Sequence, residues 1–157
     1  LGINKKILNP KSAPPKAFVP PKILLNFTDK LRYSYRPVLP NIKETLIALQ
    51  KHRKLILLTG RRTSPINWLE KNNIRKFFHE IIINQTSLAS SHYKLYKIQD
   101  IKPEEHIDDD IQTIRLLNDI TNCKLFLRVW NYNQKLSLPS NIQKINDFKE
   151  LTNFITK

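Results

Sequence analysis

The stretch KLILLTGRR, residues 54–62, decides how the rest of the chain is read. Leu55–Leu58 is an uninterrupted apolar run that stops at Thr59-Gly60, and Ser64-Pro65 follows within a few residues. A short apolar run bounded by a turn signal reads as a buried strand. Ser as cap with Pro at the first helical position reads as a helix start. The unit is therefore a strand, Lys54–Leu58, followed by a helix, with two arginines at the crossing point.

Working outward, the same alternation repeats. Downstream, Glu80–Ile83 is an expected strand, residues 91–100 a helix, and Glu105–Asp108 a strand. Asp110 is placed to cap a helix over Ile111–Ile120, Lys124–Val129 reads as a further strand, and Asp147 with Glu150 forms a capping box for a terminal helix carrying Leu151, Phe154 and Ile155. Upstream, Lys22–Phe27 (KILLNF) follows a double proline and reads as a buried strand. Asn41–His52 reads as a helix, with Asn41 and Glu44 as its capping box and Ile42, Leu46 and Leu49 on one face. Strand-then-helix units in series predict an α/β fold: a three-layer sandwich with a mainly parallel five-stranded sheet over residues 22–157. Ligands of such sheets bind beyond the carboxyl ends of the strands, so the residues that follow each strand are the ones to inspect.

Composition narrows the function classes. The chain has 157 residues, 27 Lys+Arg against 13 Asp+Glu, and a formal net charge of +14. Its two glycines, Gly2 and Gly60, are too few for a Walker loop or a dinucleotide fingerprint, and its one cysteine, Cys123, excludes a disulfide framework. His52, His79, His92 and His106 show no zinc spacing. No apolar run is long enough for a transmembrane helix.

The charge is uneven. Residues 1–40 hold eight basic residues (Lys5, Lys6, Lys11, Lys16, Lys22, Lys30, Arg32 and Arg36), one acid (Asp29) and seven of the ten prolines. Proline fixes φ and supplies no N–H, so residues 1–21 are expected to run as an extended, basic arm. Ile3, Ile7, Leu8, Phe18 and Val19 interleave with its lysines, which suits an arm lying on a polyanion. Lys5, Lys6, Lys11, Lys16, Lys22, Arg32 and Arg36 are the expected contacts to RNA or a partner. The sequence contains no methionine, an initiator included, so a processed N-terminus and an organellar location are expected, mitochondrial ahead of plastid.

The strand-end residues carry a resemblance. LLTGR (57–61) and HIDDD (106–110), with Lys94 between them and Lys97 close behind, resemble the second, fourth and third motifs of the haloacid dehalogenase-like (HAD) superfamily of phosphohydrolases. The resemblance covers about residues 22–157, and the tail LPSNIQKINDFKELTNFI (138–155) is similar to the close of nucleotidase-type members. About 14 residues separate the first motif from the Asn41 helix, which implies a capless domain. Aligned on the first motif, KILLNFTDKL (22–31) puts Asn26 at the nucleophile and Thr28 at the general acid/base. A neutral amide neither attacks phosphorus nor holds a hard cation well, and threonine cannot protonate a leaving group at neutral pH. Asp29, displaced by three residues, is not expected to substitute. The resemblance thus implies a degenerate site (Asn26, Thr28, Thr59, Lys94, Asp108, Asp109) with neither activity, small-molecule substrate nor cofactor.

The expected function is a structural, RNA-contacting component of a large organellar assembly, foremost the mitochondrial ribosome, with ribosomal RNA and neighbouring ribosomal proteins as partners. Two alternatives stand beside it. One is a small Mg-dependent phosphatase in which Asp108 and Asp109 hold the metal and Thr59 and Lys94 the phosphate. The other is an accessory subunit of an organellar membrane complex.

Overall fold

The structure, a computed structural model, describes residues 16–33 and 35–154. Five α-helices and five strands alternate through most of it: α1 (Lys22–Tyr33), α2 (Ile42–Gln50), β1 (Ile56–Thr59), α3 (Ile66–Lys71), β2 (Glu80–Ile83), α4 (Ser90–Ile101), β3 (Glu105–Asp108), α5 (Ile111–Asn118), β4 (Lys124–Arg128) and β5 (Gln143–Ile145). A 3₁₀ turn, Arg75–Phe77, precedes β2, and a 3₁₀ helix, Phe148–Phe154, follows β5.

All strand pairing is parallel, as expected, but it falls into two groups rather than one five-stranded sheet: β1 with β2, and β3–β4–β5. β1 and β3 nevertheless run the same way. Arg53, just before β1, meets Glu105 at the start of β3 (3.1 Å), and the residues after both strands line a common cleft.

Two expected elements differ. Lys22–Phe27, expected as a buried strand, is the first half of helix α1. Its apolar residues fall at 23, 24, 25 and 27, a short run whose period does not separate a helix from a buried strand. The prolines before it are compatible with a helix start, and Pro21 O accepts the amide of Leu25 (3.0 Å). The fifth strand is instead Gln143–Ile145, beside β4.

Layering follows from the alternation of side chains along β4. Leu125 and Leu127 pack with Leu95 and Ile98 of α4 and Ile114 and Leu117 of α5. Phe126 points the other way, into Leu49 of α2, Ile145 and Leu151, with the Phe154 ring edge-on at 5.2 Å. A third cluster, Leu46, Leu69, Ile74 and Phe77, backs the β1–β2 pair through Leu57 and Ile81.

The caps are partly as expected. The Asp110 carboxylate accepts from Gln112 N (3.0 Å) and Thr113 Oγ1 (2.7 Å) and so starts α5. Glu150 Oε1 accepts from Asp147 N (3.1 Å) while Asp147 Oδ1 accepts from Lys149 N (2.9 Å), although the segment they open is 3₁₀. Asn41 departs: with φ 57° it sits in the left-handed region, which asparagine tolerates, and its side chain caps nothing.

Candidate functional site at the carboxyl ends of β1 and β3

A cleft of about 410 Å³ opens at these strand ends. Its wall comprises Thr59, Gly60, Arg61 and Arg62 after β1, Ser90 and Lys94 of α4, Asp109 and Asp110 after β3, and Leu25 and Asp29 of α1. Thr59, Lys94 and Asp109 of the expected set thus converge, and Asp108 lies buried behind Lys94.

The turn after β1 is built tightly. Thr59 Oγ1 accepts the amide of Arg61 (3.2 Å). A Cβ on Gly60 would stand 1.8 Å from Ser90 Oγ and 3.2 Å from Ser90 Cα, so glycine is needed here because the start of α4 packs onto it. Asn84, fully buried after β2, shapes the next loop by accepting from Thr86 N (2.9 Å) and donating to Leu88 O (3.0 Å). Arg62 Nη2 donates to the same carbonyl (3.0 Å), tying the two loops together. The segment before α1 joins this edge: Lys16 bridges Leu88, and Ala17 N donates to Ser87 O (2.9 Å).

Asp108 is the electrostatic centre. Lys94 Nζ is 2.6 Å from its Oδ2, His106 Nε2 lies 3.3 Å from the same atom, and Asp110 N donates to its Oδ1 (3.1 Å). Burial alone raises this carboxyl, but the His106 hydrogen bond and the Lys94 charge outweigh burial and hold it at about 2. Asp109 is engaged differently: Tyr132 donates its hydroxyl to the carboxylate (3.1 Å), and the fully buried Asn133 amide donates to the backbone carbonyl (3.1 Å). Burial, and then the Asp109 charge, push the Tyr132 hydroxyl up to about 12. Lys97 pairs with Asp100 (3.6 Å), so Lys94 is the lysine of α4 that serves the cleft.

Both Asp108 oxygens face hydrogen-bond donors, one of them cationic, which competes with any hard cation for this carboxylate. Among the described residues there is no group of three His, Cys, Asp or Glu side chains placed to hold a metal ion. Asn26 lies on α1 rather than at a strand end, and its side chain is outside the described residues. Thr28 Oγ1 turns back to its own helix, donating to Leu24 O (2.9 Å). The α1 carboxylate that does reach the cleft is Asp29, which accepts from Thr63 Oγ1 and lies 3.6 Å from Arg61 Nη2. Asp29, not expected from the sequence to substitute in the first motif, reaches the cleft because α1 is helical: Leu25 and Asp29 are four residues apart and share one face.

Of the expected RNA contacts, Lys5, Lys6 and Lys11 lie outside the described residues. Lys22 and Arg32 belong to α1, and Arg36 is exposed in the linker to α2, where its carbonyl accepts from Trp68 Nε1 (2.9 Å). In comparisons with known proteins, no family model matches the chain and no curated protein matches it in sequence.

Proposed function

We propose that the chain is a catalytically degenerate HAD-like domain that serves as a structural, RNA-contacting component of a large organellar assembly, the mitochondrial ribosome foremost. In this reading the two strand groups are the halves of one Rossmannoid sheet, and residues 1–21 are an arm on the body 22–157. The observation that carries it is the state of the cleft. Its deepest carboxylate, Asp108, is spent on Lys94 and His106, and the Asn26 position stands on a helix. Such a site holds itself together rather than a reacting phosphate. The net charge of +14 supplies the complementary half, an attraction to polyanions. The exposed Ile23 and Phe27, with Phe18, suit a neighbouring protein subunit in the same assembly.

Sedimentation of the native protein with and without ribonuclease tests the reading. Co-migration with ribosomal RNA, abolished by ribonuclease, supports it. The four arm lysines, Lys5, Lys6, Lys11 and Lys16, with Lys22 at the start of α1, give a log–log salt slope of up to about 4.5 in magnitude if all engage phosphates, at roughly 0.9 per contact. Migration unaffected by ribonuclease would sink it, as would Mg-dependent turnover of a phosphate ester that Asp108→Asn abolishes.

A further inference from the structure

We propose that Asp29 is a built-in anion that holds α1 shut across the cleft, and that a phosphate-bearing ligand opens it by taking over Arg61 and Thr63. The inference is independent of the RNA-contacting role; it rests on how α1 is attached.

Among the described side chains of α1, three large apolar ones are turned outward: Ile23, Leu24 and Phe27 are 86%, 51% and 61% exposed. The side chains it sets in the cleft wall are Leu25, half-buried, and Asp29. A helix held by its apolar face keeps its place through burial. Here the described apolar side chains at 23, 24 and 27 lie outside, and the polar contact that α1 makes in the cleft is that of Asp29. Asp29 accepts from Thr63 Oγ1 and lies 3.6 Å from Arg61 Nη2, and Arg61 Nη2 in turn donates to Thr63 Oγ1 (3.2 Å). One carboxylate therefore occupies the position where a cation and a hydroxyl donor converge. The chain is pinned before α1 by Lys16 and Ala17 on the 87–88 loop and after it by Trp68 Nε1 on the Arg36 carbonyl (2.9 Å), so an exchange at Asp29 loosens α1 between two anchors that stay in place.

Three properties favour a phosphate as the displacing group. A phosphate ester brings more charge and more acceptor oxygens than a carboxylate, and arginine pairs with it through two N–H groups at once. A cleft of about 410 Å³ has room for one, within the roughly 300–1,000 Å³ common for small-molecule sites. The other cations of the cleft wall are engaged elsewhere, Lys94 with Asp108 and Arg62 with the carbonyls of Thr86 and Leu88, so the exchange concerns Arg61 and Thr63. The closed state lowers apparent affinity by the fraction of molecules that are open.

The test uses the full chain, inorganic phosphate as probe, and two readouts. Calorimetry of Asp29→Asn, which keeps the shape and removes the charge, should show phosphate binding about tenfold tighter than in the parent, the size of a typical coupling between two competing contacts. Hydrogen exchange of the parent should show the amides of residues 22–33 exchanging faster when phosphate is added, because a detached 12-residue helix is marginal in water. The second readout needs no variant, so it stands even if Asp29→Asn unfolds. Binding by Asp29→Asn no tighter than the parent, no phosphate binding by either, or α1 amides equally or better protected with phosphate present would each overturn the proposal.

Discussion

The three-stranded group and the two-stranded group are made from the same kind of parallel βα unit, yet they are held very differently. In the first, β4 is covered on both faces: Leu125, Phe126 and Leu127 are all nearly inaccessible, with α4 and α5 on one side and α2 with the 3₁₀ helix on the other. In the second, β1 is half-buried along its whole length and β2 is exposed at its first residue. A parallel strand is stable when neighbours flank it and layers cover both faces. β4 has both, whereas β1 and β2 are each paired on one side only. The stability of the domain therefore resides in the β3–β5 side, and the cleft is formed where the firm side meets the thin one.

The sharpest way to break this comparison is a pair of truncations. Phe126→Ala should cost about 3–5 kcal/mol, whereas Leu57→Ala in the half-buried β1 should cost about 1–2 kcal/mol. Urea unfolding of both variants measures the ratio, and equal costs would refute the asymmetry.

A second expectation concerns acid. Asp108 is held at about 2, below its ordinary 3.8, so the folded state favours its charged form. A lowered folded value means the contribution is complete above about pH 5, declines as pH falls through the ordinary value, and is gone near pH 2. Its size is about 2 kcal/mol. Stability measured from pH 6 to pH 2 should therefore fall in the parent and fall less in Asp108→Asn, in which this carboxyl no longer titrates. A parent profile identical to that of the variant would contradict the role given to Lys94 and His106.

The smallest effect is expected on α1. Ile23→Asp places a charge on a side chain that is 86% exposed, so thermal unfolding should shift by no more than about 0.5 kcal/mol. A loss of several kcal/mol would mean that the outward face of α1 is packed in solution and that the thin side is thicker than described.

Much of this architecture was legible in the residues. β1, β3 and β4 announce themselves as apolar runs closed by turn signals, and Asp110 marks the start of α5 because a carboxylate satisfies otherwise unpartnered amides there. Lys22–Phe27 misleads because six residues are too few to separate a strand from a buried or amphipathic helix by period. β5 is silent for a related reason: among Gln143, Lys144 and Ile145 only one residue is apolar, and the strand exists because β4 offers it an edge. For the cleft, Thr59, Lys94, Asp108 and Asp109 could be named from their places after strands or on the intervening helix. The place of Asp29 in the cleft could not, since it depends on residues 22–33 forming a helix rather than a strand. Tyr132 and Asn133 also escaped notice, because nothing local to them records that they reach back to Asp109.

The ion pair between Arg53 and Glu105 has a mechanical meaning. It joins the two strand groups at their amino ends, and Leu55 lies in the same region, packed into both the Leu46–Phe77 and the Phe126–Ile145 clusters. At the carboxyl ends the groups face each other across the cleft. The two groups are thus fastened together at the margin opposite the cleft, and because Leu55 belongs to both clusters, a truncation there would loosen the packing behind β1 and behind β4 at once.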